Sequence, residues 1–297
     1  MLKLLPGPLR GLLSLSLYVL NTIFWVIPIF FIALLKILLP LPAWRRWCNH
    51  VLNSIAVNWI GVNNFNQKLF GDTRLDIIGT NALKPRGWYL VIANHQSWVD
   101  ILVLQRVFHR KIPFLKFFIK KELFWVPLLG QAWWALDFPF MKRYSKKFLA
   151  RHPHLKGKDI EITRRACEKF KTLPVSIMNF VEGTRFTPTK HRHQQSPYDN
   201  LLKTKAGGIA FVLAAMGDHL NHILDVTIVY PAGVKSFWSF ACGNIKQIKV
   251  HIKELPVNQA PSGDYVQDPE FRRAFQNWLN GLWGQKDKCI DDLLART

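Results

Sequence analysis

The chain has 297 residues, of which 49% are hydrophobic and 20% are charged, so its composition excludes a disordered chain and a collagen-like or coiled-coil architecture. Lys and Arg number 40 and Asp and Glu number 19, and the formal net charge of +21 predicts an anionic partner such as nucleic acid, a membrane surface or a phosphorylated substrate. With 12 Trp and 21 Phe residues, so basic a chain fits the lipid–water interface.

The four cysteines are too far apart in the sequence for a metal or redox pair of the Cys-x-x-Cys type. They are Cys48, Cys167, Cys242 and Cys289. A disulfide framework is not expected from this spacing. We expect reduced, buried thiols in a protein of a reducing compartment.

An uncharged apolar run lies near the start of the chain. Residues 11–35 carry no charge and are flanked by Arg10 and Lys36, and about 20 apolar residues are enough to span a bilayer. The run is longer than the apolar region of a signal peptide, and no small-residue cleavage site follows it. A buried core helix is the other interpretation. We assign residues 1–70 to an N-terminal membrane-anchoring helical segment.

Pro28 lies inside this run and is expected to kink or split the helix, because proline lacks an amide proton and clashes with the preceding turn. Basic residues on both sides of the run do not choose an orientation. They suit a broken hairpin that enters one leaflet and returns to the cytoplasmic face. A single tilted span is the alternative.

Apolar runs with strand character alternate with helical periodicity over residues 71–297, which we assign to one α/β domain. Strands are predicted at 75–79, 88–93, 175–181, 226–230 and 245–252, and helices at 97–108, 159–171, 206–216 and 268–283. The run 88–93 is apolar almost throughout, as expected of a strand covered on both faces. Strands that alternate with helices predict an α/β sheet.

Three further segments have a less regular pattern. Residues 114–136 alternate apolar blocks with basic residues, which fits either a second membrane-contacting element or core packing. Residues 142–171 contain an excess of Lys and Arg, which fits a solvated helix face or a surface that attracts anionic lipid. Residues 187–200 predict an exposed loop, and His191 and His193 lie there without the second pair of ligands that a metal site needs.

The sequence NHQSWVD at residues 94–100 lies where the buried strand 88–93 gives way to a helix. Ligands bind at the carboxyl ends of strands in open α/β sheets, so His95 is well placed to face a cleft. An imidazole takes a proton from an alcohol, and the Asp100 carboxylate can accept the other ring N–H and fix the tautomer. No GxSxG sequence or nearby Cys supplies a nucleophile, so the pattern favours direct attack by a substrate hydroxyl. A structural histidine is the alternative.

A second sequence, FVEGTRF at residues 180–186, also follows a buried strand. Arg185 comes after Gly183, so its guanidinium can approach a phosphate and bind it with a bidentate fork. Thr184 and nearby backbone N–H groups offer further donors. The alternative is a glycine turn with an Arg–Glu pair at the surface.

Together these two sequences resemble the glycerolipid acyltransferase family, whose members include 1-acylglycerol-3-phosphate (lysophosphatidate) acyltransferases. A strand-end NHxxxxD is followed by a strand-end EGTR. The sequences GQAWWALDFPFMKR at 130–143 and VTIVYP at 226–231 occupy the places of the family's second and fourth motifs. The resemblance covers roughly residues 75–235. It implies a mixed, largely parallel sheet flanked by helices, behind an N-terminal membrane-binding segment.

The resemblance also implies a role for each matching residue. His95 would be the general base on the acceptor hydroxyl, and Asp100 would orient it. The residues that would hold the glycerol phosphate are Glu182, Gly183, Thr184 and Arg185, together with Lys142 and Arg143 of the second motif. Pro231 would help shape the acyl or donor pocket. Acyl-CoA or acyl-ACP would be the co-substrate, and neither a cofactor nor a metal is expected.

The second motif ends in Lys142-Arg143, where many bacterial lysophosphatidate enzymes have an acidic residue before Arg. This ending is similar to the branch that includes eukaryotic lysocardiolipin-type acyltransferases and related bacterial paralogues. The acceptor therefore stays open between the sn-2 hydroxyl of lysophosphatidate and another lysophospholipid.

Two rivals come from other classes of protein: a membrane-tethered nucleic-acid-binding protein and an inactive membrane scaffold. The first rests on charge alone, without a recognition motif, so nucleic acid is not an expected partner. The expected partners are membrane lipids, the lysophospholipid and the acyl donor. We expect the chain at the inner membrane of a bacterium, with its catalytic domain facing the cytoplasm.

Overall fold

The computed structural model describes residues 2–80, 83–141, 151 and 158–296. Its helices are α1 (Gly7–Leu38), α2 (Pro42–Phe70), α3 (Val99–Phe108), α4 (Leu129–Ala135), α5 (Lys158–Phe170), α6 (Pro188–Gln194), α7 (Gly207–Met216), α8 (Phe237–Ala241) and α9 (Pro269–Ala295). Its strands are β1 (Arg74–Ile78), β2 (Tyr89–Ala93), β3 (Leu115–Phe117), β4 (Ile119–Lys120), β5 (Phe140–Met141), β6 (Ser176–Phe180), β7 (His222–Val229) and β8 (Gln247–Pro256). A 3-10 helix, Lys121–Trp125, follows β4.

The central sheet has six strands in the order β1-β8-β7-β2-β6-β3. Strands β7, β2, β6 and β3 run parallel to one another, whereas β8 is antiparallel to β7 and parallel to β1. The predicted mixed, largely parallel sheet is confirmed. All five residues of β2 are buried, so the apolar run marks the strand that both faces cover.

Side chains of β2 alternate between two cores, as the two-residue period of a strand requires. Leu90 and Ile92 pack with α5, α7 and α9, in a cluster that includes the fully buried Trp283. Tyr89, Val91 and Ala93 face the opposite side and pack with α3. Because helices cover both faces, the ends of the parallel strands are the places where a ligand can reach the sheet.

Helices α1 and α2 form an antiparallel hairpin that turns at residues 39–41. Hydrogen bonds join Ser14 to Asn66 and Asn21 to Asn63 across it. The prediction that Pro28 splits α1 is wrong in one respect, because the helix continues through Pro28 to Leu38. The flanking residues Val26 and Ile29 are buried in a cluster shared with α2, and this packing holds the helix together around the missing hydrogen bond.

Helix α1 is long and apolar enough to cross a membrane, with a mean hydropathy of 2.2 over its most apolar window. The N-terminal part of α1 is docked on α8, where a Cβ atom at Gly11 would lie 2.6 Å from Cys242 Sγ. Its outer face exposes large apolar side chains, which include Leu12, Val19, Leu20, Ile23, Phe24, Ile27, Phe31, Leu34, Ile37 and Leu38. This face is compatible with lipid contact.

Residues 114–136 contain β3, β4, the 3-10 helix and α4. Their inner face packs in the core, since Ala132 and Ala135 share an apolar cluster with Val26 and Ile29 of α1. Their outer face leaves Trp125 and Trp134 exposed. The core-packing interpretation is therefore confirmed, and membrane contact by the outer tryptophans stays a prediction.

The loop predicted at residues 187–200 is partly wrong, because α6 occupies Pro188–Gln194. Thr187 caps this helix by accepting a hydrogen bond from the Lys190 N–H, and Pro188 stands at the first helical position. Both start signals are visible in the sequence. The helix predicted at 268–283 continues to Ala295.

Only part of the basic stretch 142–171 is described. In α5, Cys167 and Phe170 are buried in the core, whereas Arg164 and Arg165 are exposed. This arrangement confirms a solvated basic face for the described helix. Attraction of anionic lipid by that face stays a prediction.

Candidate active site

The loop after β2 is fixed to the neighbouring strand by Asn94. This side chain is fully buried, donates to the Ile228 carbonyl at 2.9 Å and accepts from the Ile228 N–H at 2.8 Å. A side-chain amide thereby replaces a backbone partner at the end of β2. The next residue, His95, is consequently held at the carboxyl end of the parallel strands, which is the usual position of a ligand cleft.

His95 and Asp100 form a hydrogen-bonded pair. His95 Nδ1 lies 2.8 Å from Asp100 Oδ2, and the imidazole stacks on the Phe180 ring with 3.9 Å between centroids. The His95 side chain is 12% exposed. Within the described residues its Nε2 atom has no hydrogen bond, so the nitrogen opposite Asp100 is free for a substrate proton.

The Asp100 carboxylate is completely buried and has four hydrogen-bond partners. Oδ2 faces His95 and accepts from the backbone N–H groups of Gln96 and Ser97, at 2.6 and 2.8 Å. Oδ1 accepts from the Tyr230 hydroxyl at 2.5 Å. These contacts fix the plane of the carboxylate and therefore the orientation of the imidazole.

The Asp100 carboxylate also stabilises the start of α3. It accepts from the Ser97 N–H, while the Ser97 hydroxyl accepts from the Val99 N–H at 3.2 Å. Only half of a capping box is formed, because the Ser97 hydroxyl accepts from Val99 and not from Asp100, and the helix begins at Val99 and not at Ser97 as predicted. One carboxylate thus serves both the helix terminus and the histidine.

Glu182 follows β6 and is completely buried beneath the same end of the sheet. Neither of its carboxyl oxygens has a hydrogen bond of good geometry within the described residues. Burial raises the pKa of Glu182 to about 8; backbone groups of Leu202 and His95 oppose that rise, and the Asp100 charge adds to it. Contact between Glu182 and a glycerol phosphate stays a prediction, and the side chain is completely buried in this structure.

The turn after Glu182 brings the rest of the second sequence beside the first. Gly183 has φ +67°, a left-handed conformation that favours glycine. The Phe186 N–H donates to the His95 carbonyl at 2.7 Å, which joins the two loops directly. Thr184 Oγ1 accepts from Lys190 Nζ at 2.8 Å, and the same ammonium donates to the Arg185 carbonyl.

The Arg185 guanidinium lies over the Trp98 ring, 4.4 Å from its centroid. Within the described residues it has no carboxylate partner, so the surface Arg–Glu pair considered from sequence is not formed. Stacking on an aromatic ring holds a guanidinium in place and leaves its N–H edge available to an anion. The site therefore combines a proton acceptor with a positioned cation.

Of the remaining predicted site residues, Pro231 is within the described part of the chain. Pro231 follows Tyr230 at the end of β7, on the side of the sheet where His95 lies. Lys142 and Arg143 lie outside the described residues. Among the residues that the structure describes, no group of three or more His, Cys, Asp or Glu is placed to hold a metal ion.

Several side chains at this site were not assigned a role from the sequence. They are Asn94, Trp98, Phe180, Lys190 and Tyr230. Trp98 and Phe180 are aromatic residues inside the sequences NHQSWVD and FVEGTRF, which is a visible signal for stacking of Trp98 on Arg185 and of Phe180 on His95. Tyr230 contacts a residue 130 positions away, and only the neighbouring Pro231 marks its position in the sequence.

The acyltransferase family model matches residues 74–234, which is more than half of the chain. The chain is 23% identical to 1-acyl-sn-glycerol-3-phosphate acyltransferase epsilon of Mus musculus, over 68% of this chain and 56% of that protein. It is 22% identical to lysocardiolipin acyltransferase 1 of Danio rerio, over 86% of this chain and 64% of that protein. The chain spans less than two thirds of the length of these relatives.

The fold is similar to the crystal structure of the 1-acyl-sn-glycerophosphate acyltransferase of Thermotoga maritima. The TM-score is 0.52 at 18% sequence identity, and the alignment covers 96% of this chain and 97% of the other. The family match spans both strand-end loops, including His95, Asp100 and the sequence from Glu182 to Arg185. The chain therefore belongs to the acyltransferase family.

Proposed function

We propose that the protein transfers a fatty acyl group from acyl-CoA or acyl carrier protein to the sn-2 hydroxyl of 1-acyl-glycerol-3-phosphate, which gives phosphatidic acid. The observation that carries the proposal is the joint presence of a buried His95–Asp100 pair and an Arg185 guanidinium without a carboxylate partner. An alcohol that also bears a phosphate is the acceptor that uses both groups.

In this reaction His95 acts as the general base through its free Nε2 atom. The sn-2 hydroxyl gives its proton to Nε2 as its oxygen attacks the thioester carbonyl carbon. The C–S bond then breaks, and the thiol leaves with the proton that the imidazolium returns. Asp100 holds the tautomer and balances the positive charge on the ring in between.

The acceptor phosphate binds at the loop after β6. Arg185 supplies a bidentate contact, and Thr184 and Lys190, which are hydrogen-bonded to each other in the same loop, are proposed to add to it. Gly183 is proposed to let the turn approach the phosphate closely. Lys142 and Arg143 are proposed as further basic contacts, and Glu182 supports the loop from below. Pro231 is proposed to shape the pocket for the acyl chain or donor.

The apolar face of α1 supports a site at a membrane surface, since both the acceptor and the product are lipids. We propose a membrane-anchored enzyme with its catalytic domain on the cytoplasmic side, at the inner membrane of a bacterium. The acyl chains would then stay in the bilayer while the polar groups reach His95.

A second acceptor, another lysophospholipid, is favoured by one observation. The similarity to lysocardiolipin acyltransferase 1 of Danio rerio extends over 86% of this chain. In this case the His95 chemistry is the same, and the phosphate at Arg185 is a diester instead of a monoester.

The experiment that tests both proposals measures thiol release from acyl-CoA by the purified protein in detergent, with the lipid product identified by mass spectrometry. Wild type and His95→Ala are compared with lysophosphatidate and then with a series of lysophospholipids. Release that needs lysophosphatidate and His95 supports the first proposal. Release only with another lysophospholipid moves the acceptor to the second.

Acyl carrier protein is the second donor to supply if acyl-CoA gives no release. Equal turnover by His95→Ala and wild type would remove His95 from the role of general base. Absence of transfer with either donor and every acceptor would contradict the proposed function, and circular dichroism of both proteins would establish that they are folded.

A further inference from the structure

A second group of charged residues lies away from His95, where the hairpin meets the opposite end of the sheet. A small open cleft there is lined by Asn49 of α2, Lys116 of β3, Asp137 after α4 and Lys169 of α5. We call it the Lys116 cleft. Lys116 is level with Ile177 of β6, three positions before the Phe180 ring that stacks on His95. The cleft is therefore separate from the proposed acceptor site.

Positive charge exceeds negative charge at this cleft. The Asp137 carboxylate is 2.6 Å from Lys36 Nζ, at the end of α1, and 3.5 Å from Lys169 Nζ. Lys36, the nearer of these two lysines, balances the single negative charge of Asp137. Lys116 and Lys169 are left as the excess, and both line the cleft.

The Lys116 ammonium is the unusual group. Its side chain is more than nine-tenths buried, and within the described residues Nζ has no hydrogen bond and no ion pair within 4 Å. The nearest aromatic partner is the Phe170 ring, 5.2 Å from Nζ. Burial lowers the pKa of Lys116 to about 8, Asp137 opposes the shift, and Lys36 and Lys169 add to it. The ammonium form still predominates at neutral pH.

Because the described part of the protein gives the Lys116 ammonium no acceptor, its hydrogen bonds must come from water or from a bound anion. An anion with several acceptor oxygens would satisfy Lys116 and Lys169 together. The cleft opens to solvent, so an anion would approach the two ammonium groups from outside the protein.

We propose that the Lys116 cleft binds a phosphate group, in addition to the phosphate site at Arg185. Lys36 is in the last turn of the apolar helix α1, where that helix would emerge from lipid, so an anionic lipid headgroup is one source of the phosphate. Free phosphate is the other source. Both offer the same oxygens to Lys116.

The test measures the thermal unfolding midpoint of the full chain in a maltoside detergent, which carries no phosphate. Inorganic phosphate, at ionic strength matched with chloride, is one addition. Phosphatidylglycerol is the second, with uncharged digalactosyl diacylglycerol as its control. We expect wild type to gain about 5 °C at a ligand concentration 100-fold above Kd. A shift with inorganic phosphate identifies the free ion, and a shift with phosphatidylglycerol alone identifies the headgroup.

Lys116→Met is expected to weaken the binding of phosphate or phosphatidylglycerol about tenfold to a hundredfold, because one charged hydrogen bond is lost. Lys169→Met changes a largely exposed residue, so it keeps the fold and gives a smaller loss. Lys171→Met removes the same charge from an exposed neighbouring position and should keep the full shift. Arg185→Ala removes only the contribution of the other phosphate site, so the part of the shift that depends on Lys116 should remain.

An equal shift in wild type and Lys116→Met would overturn the proposal, since the anion would then be acting elsewhere on the basic surface. Absence of a shift in wild type with both additions would also overturn it. In that case the cluster would be a structural set of charges, and Lys116→Met would be as stable as wild type or more stable.

Discussion

The loops after β2 and β6 lie side by side, but their polar groups are satisfied to different degrees. In the first loop Asn94 has two backbone hydrogen bonds and Asp100 has four partners. In the second loop Glu182 has no hydrogen bond of good geometry and Arg185 has no carboxylate partner, within the described residues. One loop is complete without a substrate, and the other has unused binding capacity.

This difference indicates that the loop after β2 positions His95, whereas the loop after β6 is available to bind a ligand. A fully hydrogen-bonded carboxylate fixes the histidine before the substrate arrives, so little reorganisation is needed at the chemical step. A free guanidinium retains its hydrogen-bonding capacity for the acceptor phosphate that we propose. The Phe186–His95 backbone hydrogen bond joins the two loops, so a substrate bound by one is presented to the other.

The largest expected effect follows from Asp100→Asn, which breaks the first loop. An amide would present an N–H to His95 Nδ1 or to the backbone donors and would favour the wrong imidazole tautomer. We expect kcat to fall about 10³- to 10⁴-fold, as for the equivalent change in Ser-His-Asp enzymes. Thiol release measures the effect, and the exposed Asp218→Asn is the matched control. A loss below tenfold would show that Asp100 does not orient His95.

The second prediction concerns the buried carboxyl of the second loop. The pKa of Glu182 is raised from 4.5 to about 8 in the folded protein. As pH rises through this interval the unfolded chain releases the proton and the folded chain keeps it, so the wild type loses stability. Glu182→Gln keeps the shape without the proton. We expect it to be more stable than wild type above pH 8, by on the order of 4 kcal/mol.

Denaturant unfolding between pH 5 and pH 9 measures this difference. The free energy of unfolding of Glu182→Gln should depend less on pH than that of wild type, and the two curves should converge near pH 5. A variant with the same pH dependence as wild type would show that Glu182 ionises normally in the folded chain. Circular dichroism at each pH establishes that both proteins begin folded.

The third prediction tests the binding capacity of the second loop. Arg185→Ala removes a charged hydrogen-bond donor, so kcat/KM for lysophosphatidate should fall about tenfold to a hundredfold, mainly through KM. Arg185→Lys should recover only part of the loss, because an ammonium cannot form the bidentate contact. Arg192→Ala, an exposed arginine in α6, is the matched control. Unchanged dependence on the acceptor would place the phosphate elsewhere.

Local sequence signals were sufficient for the first loop and much of the sheet. The apolar run 88–93 marks β2 because both of its faces are covered, and the spacing of His95 and Asp100 brings them together within one helix start. These inferences need only the strand period and the helix turn. The short strands β3, β4 and β5 were missed because two or three residues carry no periodic pattern.

Contacts between residues that are far apart in the chain could not be predicted from the sequence. Burial of Glu182 depends on the chain that covers it, so an EGTR sequence alone suggests a surface carboxylate. The Tyr230–Asp100 contact joins β7 to α3, and neither residue type requires it. The continuity of α1 through Pro28 likewise depends on packing against α2.

The smallest expected effect sharpens the comparison within the first loop. Tyr230→Phe removes one of the four partners of Asp100 and keeps the shape of the ring. Because three partners remain, we expect kcat to fall about fivefold, equivalent to about 1 kcal/mol, with KM for the acceptor unchanged. Tyr198→Phe removes a hydroxyl that donates to the Asn280 carbonyl away from His95, so it controls for stability. A higher KM for the acceptor with kcat unchanged would instead show that Tyr230 contacts the acceptor and does not position Asp100.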